Sequence, residues 1–353
     1  MQTALVDVKF VENYQKSLIY AKNHGIIAFS IFILAAKNIT VLDIIYSGDS
    51  FRCLKKEQTI MIGDLHCHTT LSDGSLGIEE VIAQAKRMEL DCLAITDHDT
   101  LSSSSRAQIL GERYGINVIP AVELSAWDKK RNEKVHILCY APQKPNRLEG
   151  LCLKSCQIRT ECAKDMIKKV MERYPIPKDA VMHFTKGSKS IYKQHIMRAL
   201  VNYGYATELY GYVNDKLFAY PKGECLVTRE YPDVNFVLDL IHSSKGVAVL
   251  AHPHMFKSIE LMKELTEAGK LDGIECFHYS ATPIQQQALK DFAEANELLV
   301  TGGSDFHGLY NSTMTHIGSY TTDEVNMDRL MKLIQKNAQK AKKSAAEAQA
   351  AQV

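Results

Sequence analysis

Short apolar runs alternate with amphipathic segments over most of the chain. The first unit has an apolar repeat at helical spacing over residues 75–85, between strand-like runs at 61–65 and 92–95. Five further strand-like runs lie at residues 118–122, 135–139, 247–250, 273–276 and 298–300. Alternation of this kind predicts an α/β fold with seven strands, arranged in parallel and joined by crossover helices.

The same pattern divides the chain into parts. Residues 1–60 carry no recognisable chemistry, and Met61 directly precedes the first strand, so we expect a translation start at Met61 and treat 1–60 as an N-terminal extension of unknown role. Residues 141–235 are rich in proline at both ends and mostly helical in pattern, which indicates an inserted module. The sheet then comprises 61–140 and 236–322, and 323–353 form a C-terminal helix with a frayed tail.

Composition narrows the class of protein. The 353 residues include 42 Lys+Arg and 41 Asp+Glu, a net charge of +1, so no broad field attracts a nucleic-acid duplex or an anionic membrane. The most apolar stretch, residues 26–36, is too short for a membrane helix of about 20 residues. The nine cysteines form no CxxC pair, which favours reduced thiols and a cytoplasmic location.

Histidine and carboxylate residues lie at or near the ends of nearly all the predicted strands. His66 and His68 are two residues apart on a strand, so they share a face while Cys67 points into the core. Asp305 and His307 have the same spacing. Parallel-strand barrels place their active sites at this rim. The candidate residues along the chain are His66, His68, Asp73, His98, Glu123, His136, His252, His278, Asp305 and His307.

These side chains predict a metal centre. The two pairs, together with Asp73, His98, Glu123, His136 and one more histidine, supply nine donors, which is enough for two or three divalent ions. A set of nitrogen and oxygen ligands without thiolate fits Mn, Fe or Zn. No Ser-His-Asp or Cys-His arrangement is evident in the sequence. Water activated by a metal ion is therefore a better nucleophile candidate than a protein side chain.

The order of the motifs resembles a known family. The segments DLHCHTTLSDGS, AITDHDT, AVELS, HILCY, KQHIMRALVNYGY, VLAHP, GIECFH and TGGSDFHG are similar to those of the PHP (polymerase and histidinol phosphatase) metal-dependent phosphoesterases. The similarity covers about residues 62–320. It is greatest to the branch that includes nucleoside 3′,5′-bisphosphate phosphatases and 5′–3′ exoribonucleases.

This resemblance implies a distorted (β/α)7 PHP barrel with an inserted, mostly helical module and a trinuclear metal site. The ligands that it implies are His66, His68, Asp73, His98, Glu123, His136, His195, Asp305 and His307. It also implies that His252 and His278 lie near the substrate phosphate, with a catalytic role. The chain departs from many relatives by having Lys193 and Gln194 before His195, where they have Arg-Pro.

The predicted function is hydrolysis of a phosphate ester of a nucleotide, an RNA 5′ end or a small metabolite by attack of metal-bound hydroxide. The expected partners are a small phosphorylated substrate or a nucleic-acid end, without a membrane and without stable duplex binding. Three alternatives stay open: a histidinol-phosphatase-type enzyme, a polymerase-associated PHP module without independent activity, and a hydrolase of the amidohydrolase kind.

Overall fold

The structure, a computed structural model, describes residues 61–350. The predicted N-terminal extension and the last three residues of the predicted tail lie outside this range. Within it, none of the helices combines the length and apolar character needed to cross a bilayer.

The described residues contain the seven predicted strands. Each coincides with one of the apolar runs, which confirms the predicted strand positions. Their bounds are β1 Gly63–Cys67, β2 Cys92–Ile95, β3 Asn117–Asp128, β4 Glu133–Tyr140, β5 Val247–Leu250, β6 Gly273–Phe277 and β7 Leu299–Gly302.

Ten α-helices accompany these strands within the described range. Four of them, α3 to α6, lie one after another between β4 and α7, where the sequence predicts an inserted module. The bounds are α1 Ile78–Arg87, α2 Ser104–Tyr114, α3 Asn146–Met171, α4 Lys178–Phe184, α5 Lys193–Asn202, α6 Tyr212–Phe218, α7 Val234–Ser243, α8 Ile259–Glu267, α9 Pro283–Ala295 and α10 Glu324–Ala350.

The seven strands form one sheet in the order β1 to β7, but the expectation of a fully parallel sheet is wrong at β4. This strand is antiparallel to both β3 and β5. Only residues 129–132 connect β3 to β4, whereas a parallel crossover needs about a dozen residues. Asn132 closes the turn with a positive φ of 56°. The two strands therefore form a hairpin, and β3 continues past its predicted end at Glu123.

The two ends of the sheet meet and nearly close it into a barrel. Cys67 at the end of β1 forms a parallel bridge with Phe306 beyond β7, and the His68 N–H donates to the Phe306 carbonyl at 2.9 Å. Gly303 makes this approach feasible, because a Cβ there would lie 2.6 Å from the His66 backbone nitrogen. The closure brings the ends of β1 and β7 together.

Two kinds of apolar core support the barrel. One packs the sheet against the surrounding helices and includes Leu148 of α3 and Val237 of α7. A separate cluster lies among the helices between β4 and β5 and includes Met166, Ile196 and Phe218. The helices between β4 and β5 therefore have an apolar core of their own, and the division of the chain at 141–235 stays a prediction.

We expect Asp64→Ala to destabilise the barrel. Asp64 is fully buried and accepts the backbone N–H groups of Ser304 at 3.0 Å and Gly318 at 2.8 Å. Because each unpaired buried donor costs about 1–3 kcal/mol, urea denaturation should show a loss of about 2–5 kcal/mol. Asp291→Ala on exposed α9 is the control and should change the unfolding free energy by about 0.5 kcal/mol or less. Equal stability of both variants would contradict the role of Asp64.

Candidate metal centre

One buried cluster at the rim of the barrel contains most of the predicted site residues. Among the described residues, four groups have nitrogen and oxygen donor atoms within 4.8 Å of one another. They are His68, Asp73, His98 and His307; His66, His252 and Asp305; His66, His68 and Glu123; and His98, Glu123 and His136. Since the groups share members, they form one continuous set of donors. Eight of the nine predicted ligands belong to it.

Glu123 lies at the centre of this set and is only 1% exposed. Its Oε2 is 2.8 Å from His98 Nδ1 and 3.3 Å from His68 Nε2. Its Oε1 is 2.6 Å from His136 Nδ1 and 2.9 Å from His252 Nε2. The hairpin explains this position, because β4 brings His136 alongside β3.

The two other carboxylates lie on either side of Glu123. Asp73 Oδ1 is 3.3 Å from His307 Nε2 and 3.7 Å from His68 Nδ1. Asp305 Oδ1 is 3.1 Å from His68 Nε2 and 3.3 Å from His66 Nε2. His66 and His68 therefore link the carboxylates, as their shared face on β1 predicts, while Cys67 packs in the apolar core.

The arrangement of these atoms fits divalent cations better than a hydrogen-bond network. Both ring nitrogens of His136, His98 Nδ1, Glu123 Oε2 and Asp73 Oδ1 are buried and make no hydrogen bond among the described residues. The short separations of Glu123 from His98 and His136 thus bring lone pairs together without hydrogen-bond geometry, whereas His252 Nε2 and Glu123 Oε1 form a hydrogen bond at 2.9 Å. Buried polar atoms without partners are costly, and a cation among them would satisfy several at once.

The surroundings of Glu123 and His68 favour the protonation states in which these side chains bind metal ions. Burial opposes ionisation of Glu123, but the His136 and His98 imidazoles hold the pKa of this carboxyl well below its usual range. Burial, together with His307 and His98, lowers the pKa of His68 to about 4. An ionised carboxylate and a neutral imidazole are the forms that bind metal ions.

The pKa values of His66 and His307 shift in the opposite direction to that of His68. Against the effect of burial, Glu275, Asp305 and Glu123 raise the pKa of His66 well above its usual range. Although burial acts to lower it, Asp73 and Asp305 raise the pKa of His307 to about 10. A metal ion that binds Nε2 of this ring must therefore displace a proton.

Glu275 is a supporting residue that the sequence interpretation missed. Its Oε1 lies 2.9 Å from His66 Nδ1, and its Oε2 accepts the backbone N–H of His252 at 2.8 Å. A carboxylate behind a histidine ligand fixes the ring orientation and increases its basicity. The sequence contained one indication of this role, since Glu275 is a charged residue within the apolar run of β6, three residues before the predicted His278.

The three remaining predicted histidines have different surroundings. His252 lies within the donor set beside His66 and Asp305. His278 lies behind Asp305, with Nε2 3.3 Å from Asp305 Oδ2 and Nδ1 2.8 Å from Ser280 Oγ. His195 is buried on α5 but outside the four groups, and its Nδ1 accepts the Tyr192 N–H at 3.2 Å. Its role as a ligand stays a prediction.

Two site residues adopt backbone conformations that non-glycine residues rarely adopt. His252, just after β5, has φ 27°, and Asp305, just after β7, has φ 49°. Such conformations cost on the order of 1–3 kcal/mol and concentrate at functional sites. Here they occur at two strand ends whose side chains face the same donor cluster.

A cavity of about 510 Å³ adjoins the cluster. Its lining includes the cluster residues Asp73, His98, Glu123, His136, His252, Asp305 and His307, together with aromatic and cationic side chains from β3, β4 and the inserted helices. A cavity of this volume is typical of small-molecule sites.

Comparison with known proteins identifies similar sequences. The family model of the PHP domain matches residues 64–349. The phosphoribosyl 1,2-cyclic phosphate 1,2-diphosphodiesterase of Eggerthella lenta is 35% identical over 260 residues, which cover 73% of this chain and 98% of that protein. The 5′-3′ exoribonuclease Rnm of Escherichia coli is 30% identical, with coverage of 70% of this chain and 85% of the relative.

A solved structure supports the same conclusion. A protein from Bifidobacterium adolescentis, assigned as a metal-dependent phosphoesterase, aligns with a TM-score of 0.69 and 27% identity over 77% of this chain and 96% of its own. The barrel, the buried donor cluster and the match over residues 64–349 agree with one another. The chain belongs to the PHP domain family of metal-dependent phosphoesterases.

Proposed function

We propose that this phosphoesterase hydrolyses a phosphate ester on a small, ribose-containing molecule. The observation that carries the proposal is the donor cluster at one side of a cavity of about 510 Å³, a size suited to a molecule of nucleotide dimensions. The named substrate of the Eggerthella lenta relative, a phosphoribosyl cyclic phosphate, supports this class. The exoribonuclease relative supports a 5′-phosphorylated RNA end as the second candidate.

The proposed ligands are the eight predicted residues of the donor set together with His252. With Asp73, Glu123 and Asp305, three carboxylates would offset about half the charge of three divalent ions. The residual positive charge attracts a phosphate group. The proposed complement is two or three ions of Mn, Fe or Zn, and when bound they lower the pKa of water towards 7 and stabilise negative charge on the phosphoryl oxygens.

Residues around the proposed metal ligands position the ligands and the substrate. His252 lines the cavity, but because its Nε2 lies in the donor set we propose metal binding for it in place of the predicted catalytic contact with the substrate phosphate. His278 contacts Asp305 and Ser280 instead, which gives it a positioning role behind the carboxylate. Glu275 holds the rings of His66 and the backbone of His252 in place. The rim thus presents a fixed set of donors to the phosphate.

The chemistry of the cysteines supports the proposed cytoplasmic location. The eight cysteines of the described range all carry free thiols, and seven of them are buried. Thiols of this kind are stable where the surroundings are reducing.

A substrate panel tests the proposed function. The metal-loaded protein is assayed with phosphoribosyl 1,2-cyclic phosphate, adenosine 3′,5′-bisphosphate, a 5′-phosphorylated oligoribonucleotide and histidinol phosphate, with products separated by chromatography. We expect the highest kcat/KM with phosphoribosyl 1,2-cyclic phosphate or with adenosine 3′,5′-bisphosphate. Preferential hydrolysis of the oligoribonucleotide would favour a 5′-phosphorylated RNA end as the substrate. Preferential hydrolysis of histidinol phosphate would refute both the small ribose-containing substrate and the RNA end. No turnover of any compound would favour a PHP module without independent activity.

We expect His66→Ala and Asp305→Ala each to lower kcat/KM by about 10³-fold or more, because each removes a donor from the centre of the metal cluster. The matched control is His183→Ala on the exposed surface of α4, which should leave turnover unchanged. Circular dichroism checks that all three variants keep the fold. Wild-type turnover in both cluster variants would refute the site.

Metal content tests the two histidines whose placement differs from expectation. We expect His252→Ala to lose metal, because its Nε2 lies within the donor set. Elemental analysis of His195→Ala provides the comparison. A similar loss in His195→Ala would keep its predicted ligand role, whereas full retention would remove it. Full retention in His252→Ala would contradict the proposed addition of this residue to the ligands.

A further inference from the structure

The loop between β1 and α1 carries Asp73, one of the proposed metal ligands, and is held from two sides. On the barrel side, the fully buried carboxylate of Asp97 accepts three hydrogen bonds from the loop. Its Oδ1 accepts the Thr69 N–H at 2.8 Å and the Ser72 hydroxyl at 2.7 Å, and its Oδ2 accepts the Thr69 hydroxyl at 2.8 Å. These bonds fix the start of the loop, but none of them reaches the Asp73 carboxylate.

The other side of the loop is held by the inserted segment just before α5. The Lys189 N–H donates to the Leu71 carbonyl at 2.9 Å. The Ser188 hydroxyl donates to the Ser72 carbonyl at 2.6 Å, with the Ser190 carbonyl at 2.8 Å as its alternative acceptor. The backbone of the inserted segment therefore runs alongside the loop directly before Asp73.

Gln194 extends these contacts to the Asp73 side chain. Its Nε2 donates to Asp73 Oδ2 at 3.2 Å. Asp73 Oδ1 is buried and makes no hydrogen bond among the described residues, and it lies 3.3 Å from His307 Nε2 and 3.7 Å from His68 Nδ1. The two oxygens of one carboxylate thus differ, because Oδ2 is engaged by an amide donor while Oδ1 faces imidazoles of the donor cluster.

The position of Gln194 is fixed by its place in the fold. It is the second residue of α5, and the first turn of this helix is closed by the Tyr192 N–H, which donates to His195 Nδ1 at 3.2 Å. The inserted helices are also tied to the barrel through Arg159 of α3, whose Nη2 donates to Asp99 Oδ2 at 2.5 Å. Gln194 therefore projects from a helix turn that is held against the barrel.

We propose that Gln194 is a positioning residue of the metal centre, which engages Asp73 Oδ2 and thereby presents Oδ1 to a metal ion. The inference rests on the proposed function and deepens it, since it assigns part of the metal affinity to the inserted segment. A group that hydrogen-bonds a metal ligand from behind fixes the orientation of that ligand, and its loss typically weakens metal binding by about 10- to 100-fold. This contribution does not depend on whether His195 is itself a ligand.

Gln194→Met tests the inference, since methionine has a similar length and no hydrogen-bond donor. The metal-free full chain is titrated with Mn²⁺ in the absence of substrate, and Kd is measured by calorimetry. We expect the Kd of at least one ion to rise by about 10- to 100-fold. The melting temperature of the metal-free protein is measured in parallel and should change no more than in the control.

The matched control is Gln157→Met on the exposed surface of α3. Gln157 also donates its side-chain amide to a carboxylate, with Nε2 3.0 Å from Glu161 Oε1, so the variant loses the same kind of hydrogen bond. Its Mn²⁺ Kd should change by about twofold or less, because surface substitutions of this kind have small effects.

Gln194→Asn provides a second, milder variant if Gln194→Met fails to fold. Asparagine keeps the amide but is one methylene shorter, so the donor is withdrawn from Asp73, and we expect weaker Mn²⁺ binding here as well. A folded Gln194 variant with the wild-type Mn²⁺ Kd would overturn the inference. So would a loss of metal affinity that is matched by a lower melting temperature of the metal-free protein, because that result would indicate a structural role.

Gln194 also lines the cavity, and turnover measurements separate positioning from contact with the substrate. A raised KM at saturating Mn²⁺ with an unchanged Mn²⁺ Kd would make Gln194 a substrate contact and overturn the inference. Hydrolysis by variants that bind Mn²⁺ as the wild type does would retain the proposed function alone. Weakened Mn²⁺ binding in the variants of a protein that hydrolyses none of the four compounds in the panel would refute the proposed function and retain the role of Gln194.

Discussion

The structure depends on the burial of one carboxylate among imidazoles. Glu123 lies within 3.4 Å of ring nitrogens from five histidines, on four different segments of the chain. Desolvation opposes its charge, yet the surrounding rings keep it ionised. A cluster of this kind is stable only when positive charge compensates it, which protonated imidazoles or a bound cation can supply.

The sequence predicted the strands well because buried strands read as continuous apolar runs. It failed at β3, which was expected to end at Glu123 although Leu124, Ala126 and Trp127 follow within the same strand. The structure shows why the strand continues: the Ser125 N–H donates to Asp99, and Arg131 pairs with Asp128. These partners are far away or across a turn, so the local pattern contains no sign of them.

The candidate site was predictable to a similar extent. Strand periodicity at the end of β1 explains the pair His66 and His68. It does not explain Asp305 and His307, because β7 ends at Gly302 and Asp305 has a positive φ; the closure of β1 near β7 brings this pair to the site instead. Glu275 was missed because its partner His66 is 209 positions away and its own strand is apolar. Arg159 lies within a long amphipathic helix, where one buried arginine has no distinguishing spacing. Contacts between residues so far apart in the sequence are set by the topology of the fold, so the residues that neighbour each partner in the sequence do not predict them.

The hairpin gives the cavity its polarity. One face of the hairpin carries the predicted metal ligands Glu123 and His136 and, two residues from His136 along β4, the cationic Lys134, a step of about 7 Å. A strand pair is stiffer than a loop, and functional groups on regular elements are held more accurately. The inserted helices add Arg159, whose bond to Asp99 ties its position to the same scaffold.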